Sequence, residues 1–113
     1  MLIRYAEFVG HIHEGKEGDF FRFVAEVLTP LWTKFDGAVK VAVCRELERD
    51  KSAPEIPLVL AISYPDRAAL DRAMACDARF KSREETQHLL EMFDGTVYHR
   101  VTEAVEHNLE AAR

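Results

Sequence analysis

The sequence predicts an α+β fold: a four-stranded antiparallel sheet with helices on one face, built in the chain order β-α-β-β-α-β. Three observations predict it. The spacing of apolar residues alternates between a strand-like period of two and a helix-like period of about 3.6. Two of the strand-like stretches, residues 38–47 and 58–64, follow one another with no helix between them, as an antiparallel pair does. Turn signals, Asp36-Gly37, Pro65-Asp66 and Asp94-Gly95, fall where the period changes. All of residues 1–113 are expected to form one domain.

The first nine residues read as a strand. Leu2, Ala6 and Phe8 share one parity with Arg4, while Ile3, Tyr5 and Val9 share the other with Glu7. Both faces are largely apolar, which suits a central strand. Residues 11–18 are polar and hold Gly15 and Gly18, so a loop or a frayed strand end is expected there. From Asp19 the period becomes helical, with Phe20, Val24, Val27, Leu28, Leu31 and Phe35 in one stripe. Phe21, Phe23 and Trp32 flank that stripe and widen it to about twice what docking on one surface requires. The helix therefore borders a pocket or a second subunit as well as the sheet. Asp19 is the expected cap, and Pro30, which removes the bond to the Glu26 carbonyl, predicts a kink or an early stop.

In residues 38–47, Val39, Val41 and Val43 alternate with Lys40, Ala42, Cys44 and Glu46. Residues 48–57 are charged and carry two prolines, so they read as a solvated connection. Leu58, Leu60, Ile62 and Tyr64 then oppose Val59, Ala61 and Ser63 in the third strand. A helix holding Ala69, Leu70, Ala73 and Met74 follows the Tyr64-Pro65-Asp66 turn. Ser82 and Glu85 have the spacing of a capping box, predicting another helix through Leu89, Leu90 and Phe93 that stops at Asp94-Gly95. The last strand is expected over residues 95–105, with Val97, His99 and Val101 on one parity and Tyr98 and Arg100 on the other. Residues 107–113, rich in Ala and Glu, are expected as a short terminal helix.

Composition narrows the function. Fifteen Lys and Arg against twenty Asp and Glu leave a net charge of −5, which argues against nucleic-acid binding. Hydrophobic residues make up 48% of the chain, enough for a packed core, yet no apolar run approaches a membrane span of roughly 20 residues. The charged start lacks the apolar stretch of a signal peptide, so a cytoplasmic protein is expected. Cys44 and Cys76 have neither the number of a disulfide framework nor the spacing of a zinc site. No phosphate loop, nucleophile elbow, dinucleotide fingerprint or His-Glu-x-x-His motif occurs.

The element order is the split βαβ arrangement of a ferredoxin-like sheet. Right-handed crossovers put both helical segments on one face. The other face, with Ala42, Cys44, Val59, Ala61 and either the Ile3/Tyr5 or the Ala6/Phe8 set, is then too apolar to leave in water. A homodimer with two sheets back to back is the expected solution.

The chain resembles the dimeric α/β-barrel superfamily, which includes EthD-type proteins, antibiotic-biosynthesis monooxygenases, polyketide cyclases and stress-responsive barrel proteins. The resemblance covers nearly the whole chain. It rests on the opening strand, the aromatic-rich helix of residues 20–35, the hairpin, Ser63-Tyr64-Pro65-Asp66, and Phe93-Asp94-Gly95-Thr96-Val97. It implies a pocket between sheet and helices for a small aromatic or polyketide-like ligand. It also implies oxygenation or cyclisation with no cofactor. The alternative is a non-enzymatic accessory or stress-related dimer whose histidines and aromatics are structural.

Several residues are candidates for that chemistry. His11-Ile12-His13-Glu14 has a spacing that a divalent metal can use, but an exposed loop beside Lys16 and Glu17 is the ordinary explanation, and no metal centre is assigned. On the barrel reading, His11 at the pocket mouth is a candidate proton acceptor. His99, on the last strand, is either a packed core imidazole or the base of a His99–Tyr5 proton relay. Trp32, Phe21 and Phe23 are candidate pocket walls, and Tyr64 either offers its hydroxyl to a ligand or anchors its turn. Arg4 and Arg100 either pair with acids such as Glu7 and Glu103 or hold an anionic substrate group, ion pairing being the ordinary expectation. His88 is expected to be solvated.

Overall fold

The structure, a computed structural model, describes residues 1–110. Apolar residues on both parities let strand β1 (Leu2–Ile12) lie inside the sheet, hydrogen-bonded on each side. It runs three residues further than its alternation indicates, because two glycines let the ladder continue. Gly10 faces Gly95, and the pairing carries on through His11↔Asp94 and Ile12↔Phe93. Gly10 has φ 151°, and a Cβ there would lie 2.1 Å from the Asp94 carbonyl oxygen.

Helix α1 (Glu17–Phe23) starts two residues before the expected cap. Asp19 sits inside its first turn, where it pairs with Arg22 at 3.3 Å and complements the positive helix end. The helix then passes through a π-helical turn (Val24–Leu28) into α2 (Thr29–Trp32). Pro30 neither stops nor ends it. The Thr29 N–H and hydroxyl both donate to the Val24 carbonyl, the hydroxyl at 2.8 Å, and the wider turn absorbs the missing proline donor.

That turn changes the phase of the helix. A π-turn advances each residue by less than the roughly 100° of an α-helix, so residues four apart stack almost directly. Phe20, Val24, Leu28 and Trp32 are accordingly the buried row, and Leu31, expected in the stripe, is only half-buried.

Strands β2 (Lys40–Arg45) and β3 (Leu58–Tyr64) pair antiparallel, as the absence of an intervening helix predicts. Helix α3 (Arg67–Met74) opens at Asp66, whose carboxylate accepts the Ala69 N–H at 2.9 Å. Helix α4 (Asp77–Leu90) opens five residues before Ser82. Ser82 is thus an interior residue rather than a cap, and its hydroxyl donates back to the Arg79 carbonyl at 2.8 Å. Strand β4 (Phe93–Glu103) follows almost at once, so Asp94-Gly95 lies within a strand instead of ending a helix. Residues 104–110 have no regular structure, against the expected terminal helix, whose remaining residues lie outside those described.

The sheet order is β2-β3-β1-β4, with every neighbouring pair antiparallel. Ala6, Phe8, Leu58, Leu60, Ile62 and Tyr64 face the helices and, with Phe20, Leu28, Leu70 and Leu89, form the core. Phe93 joins strands to helix, its ring 6.0 Å from both Phe8 and Phe20. This assigns the even parity of β1 to the helices and leaves Ile3, Tyr5 and Val9 on the open face. Across that face Tyr5 aligns with Ala61, which aligns with Ala42, while Glu7 aligns with Val59, which aligns with Cys44. Arg100 reaches Glu7 at 2.9 Å there, the ion-paired alternative for this arginine. The described tail does not seal the face: Glu106 approaches Lys40 at 3.9 Å, but Leu109 is 90% exposed. No helix of the described residues is long and apolar enough to cross a membrane.

Candidate functional site

A helix laid on a sheet ordinarily presents apolar side chains to it. Helix α4 packs against the core through Ala78 near its start and Leu89 and Leu90 near its end. The residues it turns towards a space beside the sheet are Arg79, Ser82, Arg83, Thr86, Gln87 and Leu90. Steps of three and four place them on one face. Two of the polar groups are satisfied within the helix, since Ser82 and Thr86 donate to the Arg79 and Ser82 carbonyls at 2.8 and 2.7 Å. They therefore require nothing from the sheet, and the gap between helix and sheet persists.

That gap is a cavity of about 350 Å³, at the lower end of small-molecule sites. Ala6, Phe8, Leu60 and Val97 supply its sheet wall, and Trp32, 3% exposed, closes it from α2. Arg4 and His99 project into the same space from β1 and β4. Among the described residues no aspartate or glutamate lines it. Among the described residues Arg4 and Arg83 pair with no carboxylate, while Arg79 donates to the Met74 carbonyl at 3.2 Å and lies over the Phe80 ring.

His99 is exposed, yet partial desolvation of its imidazole lowers the pKa from its usual value, and the positive charges of Arg4, Arg79 and Arg83 lower it further. The imidazole is thus neutral at pH 7 and able to accept a proton. The Arg4 pKa is lowered as well, by burial first and then by Arg79. Tyr64, two residues along β3 from the ladder partner of Arg4, is wholly buried and its hydroxyl has no hydrogen-bond partner among the described residues. Burial pushes its pKa up to about 12, against the opposing pull of Arg4 and Arg79.

The sequence candidates divide among separate places. His99 and Trp32 come together in the cavity wall. Tyr5 does not join them: it faces Arg100 across the ladder, whereas His99 faces Ala6, so the expected relay has its two members on opposite faces. His11 is also apart, its Nδ1 3.0 Å from a Glu55 carboxylate oxygen, and His13 lies 3.1 Å from Asp94. These histidines, with Phe21, line a second, charged depression of about 320 Å³. There the Arg45 guanidinium lies 4.1 Å over the Phe21 ring. Phe23 packs against the core and, like Tyr64, lines neither space. Among the described residues no three His, Cys, Asp or Glu side chains are grouped to hold a metal.

Arg79, Arg83 and Gln87 carry no motif that marks them in the sequence. Their signal is the i, i+4, i+8 spacing, which becomes visible only if α4 is started at Asp77 instead of Ser82.

No protein-family model matches the chain, and no curated protein matches it. Solved structures do. An EthD family protein from Bacillus halodurans superposes with a TM-score of 0.74 at 16% identity, covering 93% of this chain and 100% of that one. The chain has the fold of the EthD and antibiotic-biosynthesis monooxygenase proteins. A variant of SnoaB, a cofactor-independent oxygenase from Streptomyces nogalater, superposes on this EthD-like fold at TM-score 0.64 and 21% identity, covering 96% and 97% of the two chains. An antibiotic biosynthesis monooxygenase does so at 0.61 and 17%, covering 94% and 100%.

Proposed function

We propose that this protein is a cytoplasmic homodimer that binds a flat, largely aromatic molecule between its sheet and α4, and that it acts on it as a cofactor-independent monooxygenase or cyclase. The observation that carries this reading is the presence of Trp32 and His99 in the wall of one cavity. Trp32 supplies a flat packing surface, and neutral His99 is placed to take a proton from a phenol or an activated ring carbon. The nearby guanidinium groups favour the anion that results.

An electron-rich ring anion reacts with dioxygen directly. A ring methylene then becomes a carbonyl, one oxygen atom being kept and the other leaving as water. In a cyclisation the same anion attacks a carbonyl of its own chain, and His99 returns the proton. Trp32 and the apolar wall pack against the ring, while His99, Arg83 and Gln87 keep solvent-exposed surface.

The dimer follows from the open face, where Ile3, Tyr5, Val59 and Ala61 lie with nothing from the described chain sealing them. Sedimentation at micromolar concentration should give twice the chain mass. Ala61→Arg, which puts a charge in the middle of that face, should give a folded single copy.

The test of the activity is oxygen uptake with dithranol, an anthrone, above its spontaneous oxidation. Wild type should accelerate uptake, and His99→Gln should lose about a hundredfold of that acceleration. Binding without uptake would remove the oxygenase reading, and absence of binding would remove the ligand reading too.

A further inference from the structure

The cavity has a polarity along its length. Along β1 the cavity lining runs from Arg4 through Ala6 to Phe8. Along α4 the lining runs from Arg79 and Arg83, near the helix start, to Leu90. Both elements run towards Phe93, which pairs with Ile12 at the end of β1 and follows Leu90 by three residues. The cationic starts of the two linings therefore coincide, and so do their apolar ends.

At the cationic end stand three guanidinium groups, in a chain whose net charge is −5 and which holds twenty acids. Among the described residues none of those acids lines the cavity. Like charges gathered in a partly desolvated space repel one another, and a fold ordinarily intersperses acids among them. Arg100, one turn of the strand alternation away on the other face, shows the ordinary outcome in its pair with Glu7.

We propose that the ligand of this cavity is an aromatic carboxylic acid, its ring against Trp32 and Phe8 and its carboxylate on the Arg4, Arg79 and Arg83 cluster. The proposal rests on the ligand reading above and names the class of molecule. A guanidinium fork matches a carboxylate in two parallel hydrogen bonds, so the cluster fixes orientation as well as charge. The bound acid then presents its far ring to the apolar end and its near ring to His99.

The test compares two ligands of nearly equal size by titration calorimetry on the full chain: 2-naphthoate and the neutral 2-naphthalenemethanol. Naphthoate should bind at least tenfold more tightly, with the preference shrinking as salt is raised. In Arg4→Met the preference should fall below threefold. Arg83→Met, an exposed position, should show the same direction and serves if Arg4→Met does not fold. Equal binding of the two, or tighter binding of the alcohol, overturns the anion proposal and leaves the apolar cavity intact. A preference that survives in both folded variants overturns the arginine assignment. Failure of both ligands to bind overturns this proposal together with the ligand reading.

Discussion

His99 stands directly across from Ala6 in the β4–β1 ladder, and this one register places its imidazole among Arg4, Arg79 and Arg83. A slip of one residue would send it to the open face beside Tyr5. The consequence is a titration that depends on the folded state. In the unfolded chain the imidazole has its ordinary pKa of about 6.5. In the fold that pKa is lower, from partial desolvation first and the arginines second.

The sign follows from proton uptake. Above about 6.5 both states are neutral and the contribution of His99 to stability is fully present. As pH falls below that value the unfolded chain takes a proton that the folded chain resists. Stability is lost until the pH has passed below the folded pKa. His99→Gln should therefore flatten the fall in Tm between pH 7.5 and 5 relative to wild type. By NMR, His99 should titrate below its ordinary value and move upward in Arg83→Met. An unshifted His99 would contradict the clustering.

Trp32 owes its place to the π-turn, which stacks it in line with Phe20, Val24 and Leu28. It fills core volume and also closes the cavity. Trp32→Ala should cost about 3–5 kcal/mol in chemical denaturation. Trp32→Phe should cost less and still weaken binding of the naphthyl probes. A Phe variant that binds them as tightly as wild type would show that the indole is not a ligand wall.

Gly10 and Gly95 allow the long β1–β4 pairing. An added Cβ would lie 2.1 Å from the Asp94 carbonyl oxygen at Gly10, and 2.2 Å from the Val9 carbonyl oxygen at Gly95. Gly10 also has φ 151°, which side-chain-bearing residues rarely adopt. Gly10→Ala should destabilise the protein by more than about 2 kcal/mol, read from the denaturant midpoint. A change below half of that would mean the ladder yields there.

Tyr64 tests the separation of core from cavity. Its hydroxyl is buried without a hydrogen-bond partner among the described residues. Tyr64→Phe should leave stability unchanged or raise it by up to about 1 kcal/mol, and should not alter affinity for 2-naphthoate. A tenfold loss of affinity would place this hydroxyl in the site.

The order of elements was legible because it depends on periodicity and turn chemistry, which are local. The third strand was read at its observed limits, and Pro65-Asp66 marked the helix that Asp66 does cap. Boundaries failed where a distant residue decided them. Residues 11–18 left a loop and a frayed strand end both open, and His11 and Ile12 are strand because Gly95 lies opposite Gly10. The start expected at Ser82 moved to Asp77, and with it the arginines of α4 went unread.

Taken alone, the residues determined an antiparallel four-stranded sheet with helices on one side, and an apolar surplus on both strand parities. They also supplied the individual candidates, Trp32 and His99 among them. Which of those candidates meet was decided by tertiary structure. Strand register sets which parity turns inward, and it separated His99 from Tyr5 and Arg4 from Arg100. The physical reason is range. Helical and strand periods are set within a few residues, whereas register, helix phase after a π-turn and charge clustering arise only when distant segments pack.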